Sequence, residues 1–151
     1  MTARSIDPES ISSKLDWREF ESFAEKAFVS FGFDTNRNRR FTKPRMEIDL
    51  VAVMGVLAFS VDCKHWKRTV GHASMLNVGE RQIARSRRLL ELGTIDRVIP
   101  VILTLHDEML HILEDGVAIV PVHKLSDFIM NWESSRDHLL VLKGKLQANL
   151  S

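Results

Sequence analysis

The stretch Val61-Asp62-Cys63-Lys64-His65-Trp66 sets a carboxylate and an ammonium two residues apart at the end of an apolar run. Residues two apart on a strand share a face. A surface ion pair and a metal-dependent active site would both use that spacing. What adds weight is a second acid upstream. If Met54-Gly55-Val56-Leu57 is a hairpin turn, Gly55 falls at the first central position, where a type II′ turn wants glycine. That register sets Asp49 opposite Asp62 and Glu47 opposite Lys64. Opposed Cβ atoms lie about 4.5–5.5 Å apart, and like charges there repel. A hard divalent cation removes the conflict, because Mg²⁺ favours one or two carboxylates with waters and phosphate oxygens. Lys64 shares the face of both acids, while Ile48, Leu50, Phe59, Val61 and Cys63 point towards the core. Cys63 therefore reads as packing rather than as a nucleophile.

The elements that must position these groups are legible. Asp16 to Phe31 has Phe20, Phe23, Ala24, Ala27, Phe28 and Phe31 in one apolar stripe at helical spacing. Asp16 caps this helix, Glu19 closes a capping box and Leu15 staples onto Phe20. Gly32 ends it. Glu21 borders the stripe and can reach a sheet surface, whereas Glu25 lies towards solvent. Residues 33–41 read as an extended basic segment, Pro44 as a turn, and Glu47–Met54 and Val56–Cys63 as two strands. A long helix comes next, from Ala73 to Leu92, stopped near Gly93. Arg97–Leu105 and Val117–Val122 read as strands and Leu125–Trp132 as a short helix. The order αβββαβ, then β and α, predicts an α/β fold with a central mixed sheet flanked by helices.

Length and composition set the frame. The chain has 151 residues, 44% hydrophobic and 27% charged, which suits one soluble domain with a sizeable core. One domain is expected over 1–151, with a core of about 15–132, an N-terminal extension 1–14 and a tail 133–151. No apolar run is long enough for a membrane span. The start MTARSIDPESISSK has no apolar core of a secretory signal. The single Cys63 excludes an internal disulfide and a cysteine-rich zinc site. A cytoplasmic protein with no membrane partner is expected.

Net charge is +1, but unevenly spread. Residues 36–88 carry twelve Lys or Arg against four Asp or Glu, a balance of +8, which leaves −7 elsewhere. Such asymmetry points to an anionic partner for one face. The cations fall in Asn36-to-Arg45, with Arg37, Arg39, Arg40, Lys43 and Arg45; beside Trp66, with Lys67 and Arg68; and on the long helix, where Arg81, Arg85 and Arg88 recur at i, i+4 and i+7 and share a face. Trp66 either stacks on a base or packs inside. The histidines show no ligand spacing; His106 and His111 lie in a loop and receive no role.

These residues resemble the PD-(D/E)XK nuclease superfamily, the restriction-endonuclease-like fold. That family has an αβββαβ core, an acid on the first helix, an Asp on the second strand and an acid-x-Lys on the third. Here "MEIDLVAV" supplies Asp49 and "FSVDCKHW" supplies Asp62 and Lys64. "FESFAEKAFVSFGF" and "VDCKHWKRTVG" look most like Mrr-like restriction endonucleases. Archaeal Holliday-junction resolvases are similar in the first helix, where the acid precedes the closing glycine by eleven residues. That spacing selects Glu21, eleven before Gly32. The RecB-like branch carries a Gln and a Tyr on the following helix; here Gln82 is present as an accessory candidate, and the chain has no Tyr.

The resemblance implies hydrolysis of DNA phosphodiesters by an endonuclease of the Mrr-like restriction or repair type. It implies a catalytic set Glu21, Asp49, Asp62 and Lys64. Mg²⁺, with Mn²⁺ as substitute, would be held by Asp49, Asp62 and the Cys63 carbonyl, and by Glu21 directly or through water. The basic residues named above would contact DNA, and cutting two strands would favour a homodimer. A branched-DNA resolvase and a non-catalytic DNA-binding subunit are the alternatives.

Overall fold

The computed structural model describes residues 17–66, 70–105 and 109–144. The expected extension 1–14, the Asp16 cap, the Leu15 staple and Lys67, Arg68 and His106 lie outside these residues. Among the described residues no helix is long and apolar enough to cross a membrane.

Helix α1, Trp17–Ser30, is the first element among the described residues. Phe20, Ala24 and Phe28 are buried, as the helical spacing requires. Phe23 is not: it is 57% exposed, because it stands one position ahead of Ala24 and so to the side of the buried stripe. Gly32, at φ +92, ends the helix. Its N–H donates to the Val29 carbonyl at 2.9 Å and the Phe33 N–H to Phe28 at 3.2 Å. This is a Schellman motif, with its hydrophobic contact made by Phe28 and Phe33, ring centroids 5.5 Å apart.

The chain then forms strands β1 (Asp34–Thr42), β2 (Arg45–Met54) and β3 (Leu57–Lys64), helix α2 (His72–Leu90) and strand β4 (Arg97–Thr104). Short strand β5 (His111–Ile112), strand β6 (Ala118–Pro121), helix α3 (Leu125–Asn131) and short strand β7 (Leu142–Lys143) complete it. The sheet order is β1-β2-β3-β4-β6-β5, with β7 also paired to β4. The first three strands are antiparallel neighbours, while β3–β4 and β4–β6 are parallel. The expected mixed α/β sheet is therefore present.

Gly55 has φ +61 and no positive φ is found at Val56, the pattern of a type II′ turn. The hairpin register is set by it: Met54 pairs with Leu57, Ala52 with Phe59 and Leu50 with Val61.

The core has two sides. Phe20, Ala24 and Phe28 of α1 pack with Leu50, Phe59, Val61, Cys63, Val101, Leu103 and Phe128. On the α2 side Leu89 packs with Phe41, Ile48, Val51, Ala58 and Val98. Ile48 was expected on the first side, with Leu50. It lies on the second because the β1–β2 ladder is interrupted at Asn38 and Asp49. Partners skip from Arg37–Leu50 to Arg39–Ile48, and Asn38 adopts φ +56. Across this break strict alternation fails, and Ile48 and Leu50 lie on opposite faces of the sheet. The tail expected from residue 133 is part of the packed body as far as Leu142, since Leu139 and Leu142 are buried. Trp132, Leu139 and β7 close the far end of the sheet.

Candidate active site

The site forms where β2 and β3 separate. Their paired residues end at Leu50 and Val61. The next acceptor in the ladder is a side chain: the Cys63 N–H donates to Asp49 Oδ2 at 2.9 Å. Asp49 is thus locked to β3, with the Asp62 carboxyl near enough to act on it electrostatically. In a strand the N–H and C=O of one residue leave on the same side, so the Cys63 carbonyl is turned to the same gap. Lys64, two residues beyond Asp62 and on its face, brings Nζ to 3.1 Å from Asp62 Oδ2.

Glu21 enters from α1 and is 2% exposed. Arg37 Nη2 lies 3.4 Å from its Oε1. From the other side of the sheet Arg85 of α2 brings Nη1 to 3.6 Å from Asp62 Oδ2. The acids Glu21, Asp49 and Asp62 and the cation Lys64 are therefore brought together. Glu47 is not with Lys64. It stands opposite Arg40 of β1 and accepts from its Nε at 2.7 Å, because β2 has left β3 before reaching it.

Burial pushes the Asp49 carboxyl from its ordinary 3.8 up to about 7. The nearby Asp62 carboxyl and the charge of Glu21 add to this, and the Cys63 N–H opposes it. Burial and the same three acids also push the Cys63 thiol well above its ordinary range, so Cys63 packs and does not act as a nucleophile.

A folded-state pKa above the unfolded value gives stability that is complete below about 3.8 and is lost as pH rises to about 7. Asp49→Asn keeps an oxygen for the Cys63 N–H and removes the charge. In EDTA it should match the parent's melting temperature only below about pH 3.8 and exceed it by a margin that grows up to about pH 7. For a chain of this size each kcal/mol is worth about 2–4 °C. A lower melting temperature at pH 8, read by thermal denaturation, would show that the charge itself is structural.

The donor set fits a hard cation: carboxylate and carbonyl oxygens with no sulfur or imidazole. Among the described residues no three His, Cys, Asp or Glu side chains already converge on one point. Glu21 leans on Arg37, and Asp62 on Lys64 and Arg85. The fit is therefore to the neighbouring pair Asp49 and Asp62, with Glu21 close enough to act on Asp49 electrostatically while it is paired with Arg37.

A cleft of about 980 Å³ adjoins the site, lined by Arg40, Arg45, Arg81 and Arg85 with Phe41 and Met46. Of the remaining basic candidates, Lys43 is exposed on the β1–β2 turn. Arg39 and Arg88 both lie over the Phe41 ring, at 5.1 and 4.8 Å. Arg37 was expected at an anionic partner but is held by α1, through Glu21, Glu25 at 3.8 Å and the Arg18 carbonyl at 3.3 Å. Glu25, expected towards solvent, also accepts from Thr35 Oγ1 at 2.8 Å. Trp66 is half-buried and packs against the cluster of Ile102, Leu113, Val117 and Ile119.

Gln82 is fully buried and donates to the Ser60 and Val101 carbonyls at 2.6 and 3.3 Å, joining α2 to β3 and β4. The contact of Arg85 with Asp62 is one that sequence reasoning misses. Its one signal in the sequence is that Arg85 comes less than a turn after the inward-facing Gln82.

The layered sheet and the parted strands form a restriction-endonuclease-like fold. The chain is similar to the PD-(D/E)XK nuclease superfamily, on its Mrr-like side. Residues 12–86 match the Mrr catalytic family model, described as a restriction endonuclease. Among solved structures, the small subunit R.BspD6I2 of the heterodimeric restriction endonuclease R.BspD6I superposes with TM-score 0.53 at 10% identity, over 87% of this chain and 78% of that one. A protein of unknown function, AF1548, matches with TM-score 0.41 at 20% identity; the match covers 57% of this chain and 46% of that one. No curated protein matches the chain.

Proposed function

We propose that this chain is a metal-dependent endodeoxyribonuclease that hydrolyses DNA phosphodiesters. The observation that carries the reading is Asp49 bonded to the Cys63 N–H next to Asp62, with Lys64 Nζ 3.1 Å from Asp62, beside a cleft lined by four arginines. Asp49, Asp62 and the Cys63 carbonyl would hold Mg²⁺ or Mn²⁺, with Glu21 engaging directly or through water. Held there, the ion would supply Lewis-acid chemistry, polarisation of the scissile phosphate and a lowered pKa for a water. Lys64 then orients the attacking water or neutralises charge developing on the phosphate. Arg40, Arg45 and Arg81 hold the flanking phosphates, contacts that position DNA without reading its sequence. Buried Cys63, Val61 and Leu103 back the site and keep the carboxylates in a low-dielectric setting, where charge placement counts most.

Cutting both strands of a duplex needs two such sites. A homodimer would supply them, as would a second nuclease subunit of the kind that accompanies the small subunit sharing this fold. The test is a Mg²⁺-dependent cleavage panel on linear, nicked, branched and methylated DNA. Metal-dependent cutting of at least one substrate is expected. No cutting of any, with Mg²⁺ or Mn²⁺, would overturn the reading and leave a DNA-binding subunit as the better account.

A further inference from the structure

Arg85 stands where the carboxylates meet the cleft. Its guanidinium touches Asp62 Oδ2 at 3.6 Å and also lines the arginine cleft. Lys64 Nζ reaches the same oxygen at 3.1 Å. Two protein cations thus share one carboxylate oxygen, and it belongs to the residue that would ligate the metal. A divalent ion at Asp62 and a guanidinium at that distance repel. The ion and the guanidinium therefore compete for Asp62.

The tether on Arg85 decides where it goes. Its Nη1 also lies 3.4 Å from Gln82 Oε1. The Gln82 amide is fixed in turn on Ser60 and Val101. Ser86, the next residue, bonds back to the Gln82 carbonyl at 2.8 Å, so this turn of α2 is held to the sheet. Arg85 therefore has two places within reach, Asp62 and the cleft. Anions enter the cleft as phosphates.

We propose, on the nuclease reading above, that Arg85 is an exchange residue. It covers Asp62 in the DNA-free protein and passes to a DNA phosphate when Asp62 takes the metal ion. Metal and DNA then bind cooperatively. Linkage is reciprocal, so each ligand raises the affinity of the other by the same factor. The arrangement keeps the metal loosely held until substrate is present.

The test is Mn²⁺ binding, followed by calorimetry and by the electron-spin resonance of free Mn²⁺, for the parent, Arg85→Gln and Arg85→Lys. Each is measured alone and with a slow-cleaving phosphorothioate duplex. Without DNA, Arg85→Gln should bind Mn²⁺ at least about threefold more tightly than the parent, because a competitor for Asp62 is gone. Added duplex should tighten the parent's Mn²⁺ binding but not that of Arg85→Gln. Arg85→Lys, which keeps the charge, should lie nearer the parent. A merely structural role would instead weaken metal binding in a chain whose circular dichroism is unchanged. That result, or equal tightening by DNA in parent and Arg85→Gln, would overturn the proposal. If the parent takes up no Mn²⁺ or Mg²⁺, the nuclease reading falls and this one with it. If the parent binds metal and Arg85→Gln gains nothing, the exchange alone falls.

Discussion

Lys64→Ala is expected to lower DNA cleavage by at least about 100-fold, the scale seen when a preorganised charge is removed from a developing oxyanion. DNA affinity should change less than about threefold, since one charge among many phosphate contacts matters little to binding. The fold should tolerate the change. Lys64 is half-buried, and Arg85 still faces Asp62 after it is gone. Nicking rates, fluorescence anisotropy and thermal denaturation of one preparation separate these effects. Equal losses of cutting and binding would show that Lys64 is a docking residue and not part of the chemistry.

The second large effect is the reverse. Replacing Arg40, Arg45 and Arg81 together by Ala should weaken DNA binding across all sequences. It should also flatten its salt dependence, by about 0.9 for each phosphate no longer neutralised. All three are exposed and line the cleft. The Arg40–Glu47 pair is on the surface, where such pairs contribute little stability, so the melting temperature should hold. Arg37 does not belong in this set. Its guanidinium lies on Glu21, and its removal would disturb the acid cluster rather than the DNA path. A triple variant that binds with the parent's salt slope would move the DNA path away from this cleft.

Much of this arrangement could be read from local rules. One glycine fixed the hairpin register, because a turn at Gly55 permits few pairings, and the register put Asp49 beside Asp62. Strand alternation put Lys64 on the face of Asp62. What could not be read came from longer-range geometry. The face of Ile48 is reversed by a break at Asn38 and Asp49 that no alternation pattern announces. Helix α2 buries Gly79, Gln82, Ser86 and Leu89, a stripe too polar to stand out as an apolar period, so only the spacing from Gln82 marks the inward lean of Arg85. Arg37 counts in the sequence only as a charge, and only the packing of α1 against β1 shows that charge already engaged. Strands β5 and β7 have two residues each, too short to carry a period-two signal.

The most direct test of the central claim is nicking of supercoiled DNA by the parent and by Asp62→Asn, with Mg²⁺ and then with EDTA. The parent should nick with Mg²⁺ and stop in EDTA. Asp62→Asn, folded by circular dichroism and able to bind DNA, should not nick under either condition. Nicking by the parent in EDTA, or by Asp62→Asn at the parent's rate, would contradict a metal-dependent reaction at these carboxylates.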